Sequence, residues 1–167
     1  DAVPYLRPYD VFDYVPQPAD MLSKSGSSGL DRLTPEPGTI LQTCSGRNLG
    51  PLALADEYVG RFVVSDDMLR LHIEDEADRL YTIAFLSTPT GQALLTRSKT
   101  VNVIDHLSAD DLGSVEVPFL DDALTDATVS TMRESVSLRE RARIGLDALV
   151  SEFATSLPQP SRSSPMR

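Results

Sequence analysis

The chain has 167 residues, 41% of them hydrophobic and 24% charged, a composition that suits one core-forming domain with an appended element and excludes a disordered or fibrous protein. Its formal net charge of −10 is the main composition argument against nucleic-acid binding, because Lys and Arg neutralising phosphates supply most non-specific affinity. No stretch reaches the roughly 20 apolar residues of a bilayer-spanning helix, and the amino end lacks a basic region followed by an apolar one, so no membrane contact and a cytoplasmic location are expected.

In chain order, the segment through Leu33 mixes Pro4, Pro8, Pro16 and Pro18 with Tyr5, Tyr9, Phe12 and Tyr14, then loosens into Ser23-Lys24-Ser25-Gly26-Ser27-Ser28-Gly29. It reads as an extended, aromatic-anchored entry followed by a mobile loop. Pro35-Glu36-Pro37-Gly38 signals a turn, and Thr39-Ile40-Leu41-Gln42-Thr43 has the length and composition of a strand that stops at Ser45-Gly46-Arg47-Asn48. Further strands are expected at Leu52 to Ala55, Arg61 to Ser65 and Met68 to Ile73, with a turn near Asp56-Glu57. In the last of these, Met68, Arg70 and His72 alternate with Leu69, Leu71 and Ile73 as in a half-buried strand. Short strands this close together predict an antiparallel sheet or a partial barrel.

From Asp78, read as an N-cap, Leu80, Ile83, Ala84 and Leu86 keep helical spacing until Ser87-Thr88-Pro89 interrupts it. A second short helix starts with Pro89 in its first turn and runs through Leu95. Val101 and Val103 suggest another strand, and Ser108-Ala109-Asp110-Asp111 caps a helical turn before Pro118. Over residues 122–155, Val129, Met132, Val136, Leu146, Val150 and Phe153 recur at spacings of three and four, which predicts one long amphipathic helix. Arg139 and Arg143 fall in its seam, so the seam needs a partner with acceptors or packs only at its ends. The Pro- and Ser-rich end is expected to be a disordered tail or linker. The expected organisation is therefore a domain over 1–120, a helix over 121–156 and a tail over 157–167. Its fold class is α/β (α+β), a small mixed or antiparallel sheet with short helices followed by the long C-terminal helix.

The order of motifs carries a resemblance. Pro37-Gly38-Thr39-Ile40-Leu41, the Ser45-Gly46 loop, Gly50, Phe62-Val63-Val64-Ser65-Asp66-Asp67 and Leu69-Arg70-Leu71 follow one another. Tyr81 to Leu86, then Ser87, Pro89, Gly91-Gln92 and Leu95, come next, with His106-Leu107-Ser108, Asp111-Leu112 and Val117-Pro118 after them. Over residues 37–153 this resembles the target-recognition domain of type I restriction-modification specificity subunits, each motif being loose and the order specific. The Val101-Asn102 and Asp105 neighbourhood departs from the Gly and Pro that the family often has ahead of His-Leu-Ser.

The resemblance implies a module without chemistry or cofactor of its own that reads a short double-stranded DNA half-site in bacterial phage defence. It also implies DNA methyltransferase or nuclease partners, and a homodimer or second recognition domain held through the helix. The association residues would be Val129, Met132, Val136, Leu146, Val150 and Phe153. The alternative is a protein-protein assembly module on the same scaffold that docks a basic partner.

A DNA reader needs cationic forks, amides and hydroxyls. Ser45, Arg47 and Asn48 sit on a Gly-flanked turn, and Arg97, Ser98, Lys99 and Thr100 form a compact basic cluster after the second short helix. Lys24 in the Ser/Gly loop is a weaker candidate. Arg47 and Asn48 read equally as decoration of a surface turn, and Arg97 and Lys99 equally as charge complementing a helix C-terminus. No Lys or Arg occurs between Lys99 and Arg133, where seven acidic residues lie, so a basic face can survive elsewhere. Arg61 and Arg70 read as strand-surface ion pairs, and His106 and Ser108 as a structural turn and a cap. Cys44, the only cysteine, reads as a small core residue rather than a nucleophile with His72 or His106. Asp66-Asp67 and Glu74-Asp75-Glu76 read as solvated turns without metal-ligand spacing.

Overall fold

The computed structural model describes residues 1–18, 20–45, 49–97 and 106–157. Its fold is mixed α+β: two three-stranded sheets, short helices and one long C-terminal helix. The first sheet has strand order β2-β1-β5, with β1 (Ala2–Leu6) antiparallel to β2 (Asp20–Ser23) and parallel to β5 (Val63–Val64). The second has order β4-β3-β6, in which β3 (Ile40–Thr43) lies antiparallel to both β4 (Leu52–Leu54) and β6 (Met68–Leu71).

β3 organises the core. All four of its residues are buried, and because successive side chains leave opposite faces of a strand, Leu41 and Ile40 enter different apolar clusters. Leu41 joins Leu6, Val11, Tyr58, Val59, Val64 and Met68 on the side of the first sheet. Ile40 joins Leu80, Tyr81, Ile83 and Val129 on the side of α2 (Glu76–Leu86) and α5 (Asp122–Ser156). The second sheet is thus the middle layer. A third cluster, Leu49, Leu86, Leu95, Leu107 and Leu112, packs the ends of α2, α3 (Pro89–Thr96) and α4 (Ala109–Gly113).

The amino-terminal segment differs from its expectation. The extended entry is a sheet strand, β1, and β2 returns along it with Ala2 opposite Ser23 and Tyr5 opposite Asp20. Pro4 is tolerated because only Tyr5 and Leu6 pair with β5, so one side of β1 is still an edge at Pro4 and its missing N–H interrupts no ladder there. A 3₁₀ turn at Asp10–Phe12 buries Val11, and the Ser/Gly stretch leads into the single helical turn α1 (Leu30–Leu33).

Helix starts follow side-chain caps. α2 begins three residues earlier than expected: Asp75, not Asp78, is the N-cap, its Oδ1 accepting the Asp78 N–H at 2.9 Å, and Asp78 occupies the third position. Thr88 caps α3 with Pro89 in the first turn, as expected. Ser108 and Asp111 close a reciprocal capping box on α4. Gly91 allows α3 to lie against the end of α2, since a Cβ there would stand 2.3 Å from the Phe85 carbonyl oxygen and 2.6 Å from Leu86 Cα.

α5 covers the expected span with Asp121 as N-cap. Its first half packs Val129, Met132 and Val136 against the α2 cluster. Farther along, Arg143 turns into the domain, where its guanidinium reaches Asp56 Oδ2 at 2.7 Å and donates to the backbone oxygens of Tyr14 and Asp13. Both Arg143 and Asp56 are almost fully buried. The acceptors that the seam arginine requires therefore come from its own chain. Asp147 accepts from Tyr58 Oη and from Arg61, whose guanidinium also lies 4.0 Å over the Tyr58 ring. Beyond Asp147, residues 148–157 are exposed.

Candidate nucleic-acid interface

β3 runs on into Cys44 and Ser45, and Ser45 forms an isolated antiparallel bridge with His106. The Leu107 N–H donates to the Cys44 carbonyl at 2.8 Å beside it. Ser45 is the residue at which the chain enters the first polar segment, and His106 the one at which it leaves the second. Their bridge puts these two ends side by side beyond the carboxyl end of β3, the central strand of the middle sheet. On the far side of the first segment, Gln92 of α3 donates to the Gly50 carbonyl at 2.8 Å and to Leu86 O at 2.7 Å, tying the chain after Leu49 to the helix that ends at Arg97.

Of the expected DNA-contacting residues, Ser45 is described in the bridge and Arg97 exposed at the C-cap of α3. Arg47, Asn48, Ser98, Lys99 and Thr100 lie outside the described residues, as do Val101 and Val103 of the expected strand. Lys24 is exposed but elsewhere. It follows Ser23, which pairs with Ala2 at the start of β1, whereas Ser65, hydrogen-bonded to Leu6, lies at the end of β1 toward Asp67 and Ser45. A strand of five residues separates the two places.

Asp67 shapes the site from the exposed turn expected at Asp66-Asp67. One carboxylate oxygen takes the Ser45 hydroxyl and the other takes the Cys44 thiol at 3.2 Å. Burial, then the hydrogen bond to Asp67, pushes the Cys44 thiol up to about 12, so it remains a protonated core group at neutral pH and offers no thiolate nucleophile. Among the described residues no three His, Cys, Asp or Glu side chains are grouped to hold a metal.

Arg70, expected in a surface ion pair, instead donates to the backbone oxygens of Leu33, Val64, Ser65 and Met68, and burial lowers its pKa. It fastens the turn between β5 and β6 that presents Asp67. Ion pairs occupy Arg7 with Asp10 and Asp20, Arg61 with Asp147, Arg133 with Glu76 and Arg143 with Asp56. Arg97 makes no ion pair with a described residue and is exposed at the end of α3.

The expected association residues divide along the length of α5. Val129, Met132 and Val136 are occupied by the α2 cluster of their own chain, while Leu146, Val150 and Phe153 are exposed. Val150 shares the angular position of Met132 about five turns earlier, so the difference is that the helix runs past the domain there, which spacing does not reveal. Comparison of the chain with family models and with curated proteins finds no match.

Proposed function

We propose that the chain is a sequence-specific double-stranded DNA recognition module, a specificity element of a restriction-modification or related phage-defence system. It carries no chemistry of its own and acts in the cytoplasm with methyltransferase or nuclease partners. The observation that carries the reading is the Ser45–His106 bridge, which joins beyond the end of β3 the ends of the two segments richest in DNA-contacting residue types. The exposed Arg97 adds to it, as does the order of elements, a small α+β unit followed by a long helix. No helix among the described residues is long and apolar enough to cross a membrane.

The test is selection from a random duplex pool at low and moderate salt with the intact chain and with Arg47→Ala, Arg97→Ala and Lys99→Ala. An enriched motif is expected. Each substitution that removes a phosphate contact lowers the salt dependence of log affinity by about one unit of slope. Absence of both enrichment and salt-dependent binding overturns the reading. A second reading, an assembly module that docks a basic partner, is favoured by the net charge of −10 and by the four arginines already held in ion pairs. It predicts that these substitutions leave partner binding unchanged.

A further inference from the structure

The Ser45 hydroxyl carries a single proton and donates it to Asp67 Oδ2, because a carboxylate only accepts. Among the described residues the hydroxyl makes no other hydrogen bond, so Ser45 offers its surroundings lone pairs alone. Asp67 Oδ1 takes the Cys44 thiol at 3.2 Å, and that thiol, pushed up to about 12, keeps its proton there. A carboxylate has about four acceptor sites, so acceptor capacity remains on Asp67, which is exposed. The Asp67 N–H donates to Ser65 Oγ at 3.1 Å, and Arg70 fastens the same turn through its bonds to backbone oxygens. No Lys or Arg among the described residues forms an ion pair with Asp67. Beside the Ser45–His106 bridge, then, Ser45 and Asp67 are held as a charged pair that accepts and does not donate.

We propose, resting on the DNA reading above, that Ser45 and Asp67 set specificity at one base pair by accepting from the N4 amino group of a cytosine in the major groove. Guanine presents two acceptors there and thymine presents O4, and each repels a pair that only accepts. Adenine offers its N6 amino group beside the N7 acceptor, whereas the ring position next to the cytosine amino group bears a hydrogen and no acceptor. Cytosine is therefore the base that meets the pair without a clash of lone pairs. The choice of groove follows from charge. Asp66 and Asp67 are both exposed, and a groove about 12 Å wide keeps two carboxylates farther from the phosphates than one about 6 Å wide. The acidic turn that repels phosphate thus suits a base edge that donates.

The experiment uses the motif selected from the random duplex pool by the intact chain. One motif position should hold cytosine, and pyrimidin-2-one in its place, which lacks the amino group, should weaken binding about tenfold. Ser45→Ala should weaken binding to the cytosine duplex, and its loss should be less than additive with that of the analogue, a coupling that a purely structural role of Ser45 does not give. Asp67→Asn supplies an amide that can donate to Ser45 and free its proton, so the preference for cytosine over thymine at that position should fall about tenfold. Asp66→Asn removes the same charge without touching Ser45, and should strengthen binding to all sequences alike with the preference unchanged. A motif indifferent to the analogue, or additive losses with Ser45→Ala, overturns the proposal and leaves the DNA reading standing, as does an equal loss of preference in Asp66→Asn. Absence of both a motif and salt-dependent binding overturns the reading and the proposal together.

Discussion

Arg143 shows what a single residue does in this fold. Its charge is buried against Asp56, and Asp56 Oδ1 accepts the Val59 N–H at 2.9 Å, so the carboxylate caps a turn while neutralising the guanidinium. Replacing Arg143 with Met leaves a buried carboxylate without its counter-charge, a change expected to cost about 3–5 kcal/mol of unfolding free energy, read from denaturant unfolding. Arg143→Met with Asp56→Asn should recover part of that loss, because the amide needs no counter-charge and its oxygen still accepts from Val59. A double variant no more stable than the single one would refute this account. That Arg143 needed acceptors was legible in its seam position. That they lie at Asp13, Tyr14 and Asp56, 130, 129 and 87 positions away, was not, because nothing local marks which acidic residue of an acidic chain is buried.

At the scale of the element, legibility followed the strength of local signals. α5, α3 and the α4 capping box were readable because caps, Pro89 and apolar spacing agree over one continuous segment. The α2 start was displaced because Asp75 and Asp78 are equally good caps by type, and only the N–H that Asp75 accepts decides between them. β1 and β2 were missed since their pairing lies with each other and with β5, and four prolines masked the pattern. The α2–α3 junction offers a direct check. Gly91→Ala introduces a methyl group against backbone atoms that cannot swing aside and should destabilise by about 1–3 kcal/mol in thermal or urea unfolding. Little or no change would mean that α3 shifts freely on α2.

At the scale of the whole molecule, the α+β class with its long C-terminal helix was legible, whereas the division into two sheets with a parallel β1–β5 contact was not. Which face of α5 is outward was equally hidden, because it depends on where the domain sits along the helix. The helix rests on the layers only through Asp147. Replacing the exposed Val150 and Phe153 with Ser should therefore leave the thermal midpoint of the monomer within about 2 °C, given that surface changes usually fall within about 0.5 kcal/mol. A large drop would place a hidden contact beyond Asp147. The Ser45–His106 bridge has a different consequence, one of chain kinetics. Among the described residues it is one residue pair, and it joins positions far apart in sequence, so the intervening helices can form before it closes. The contact is therefore expected to close late and open first, parting while β3 and its neighbours remain folded.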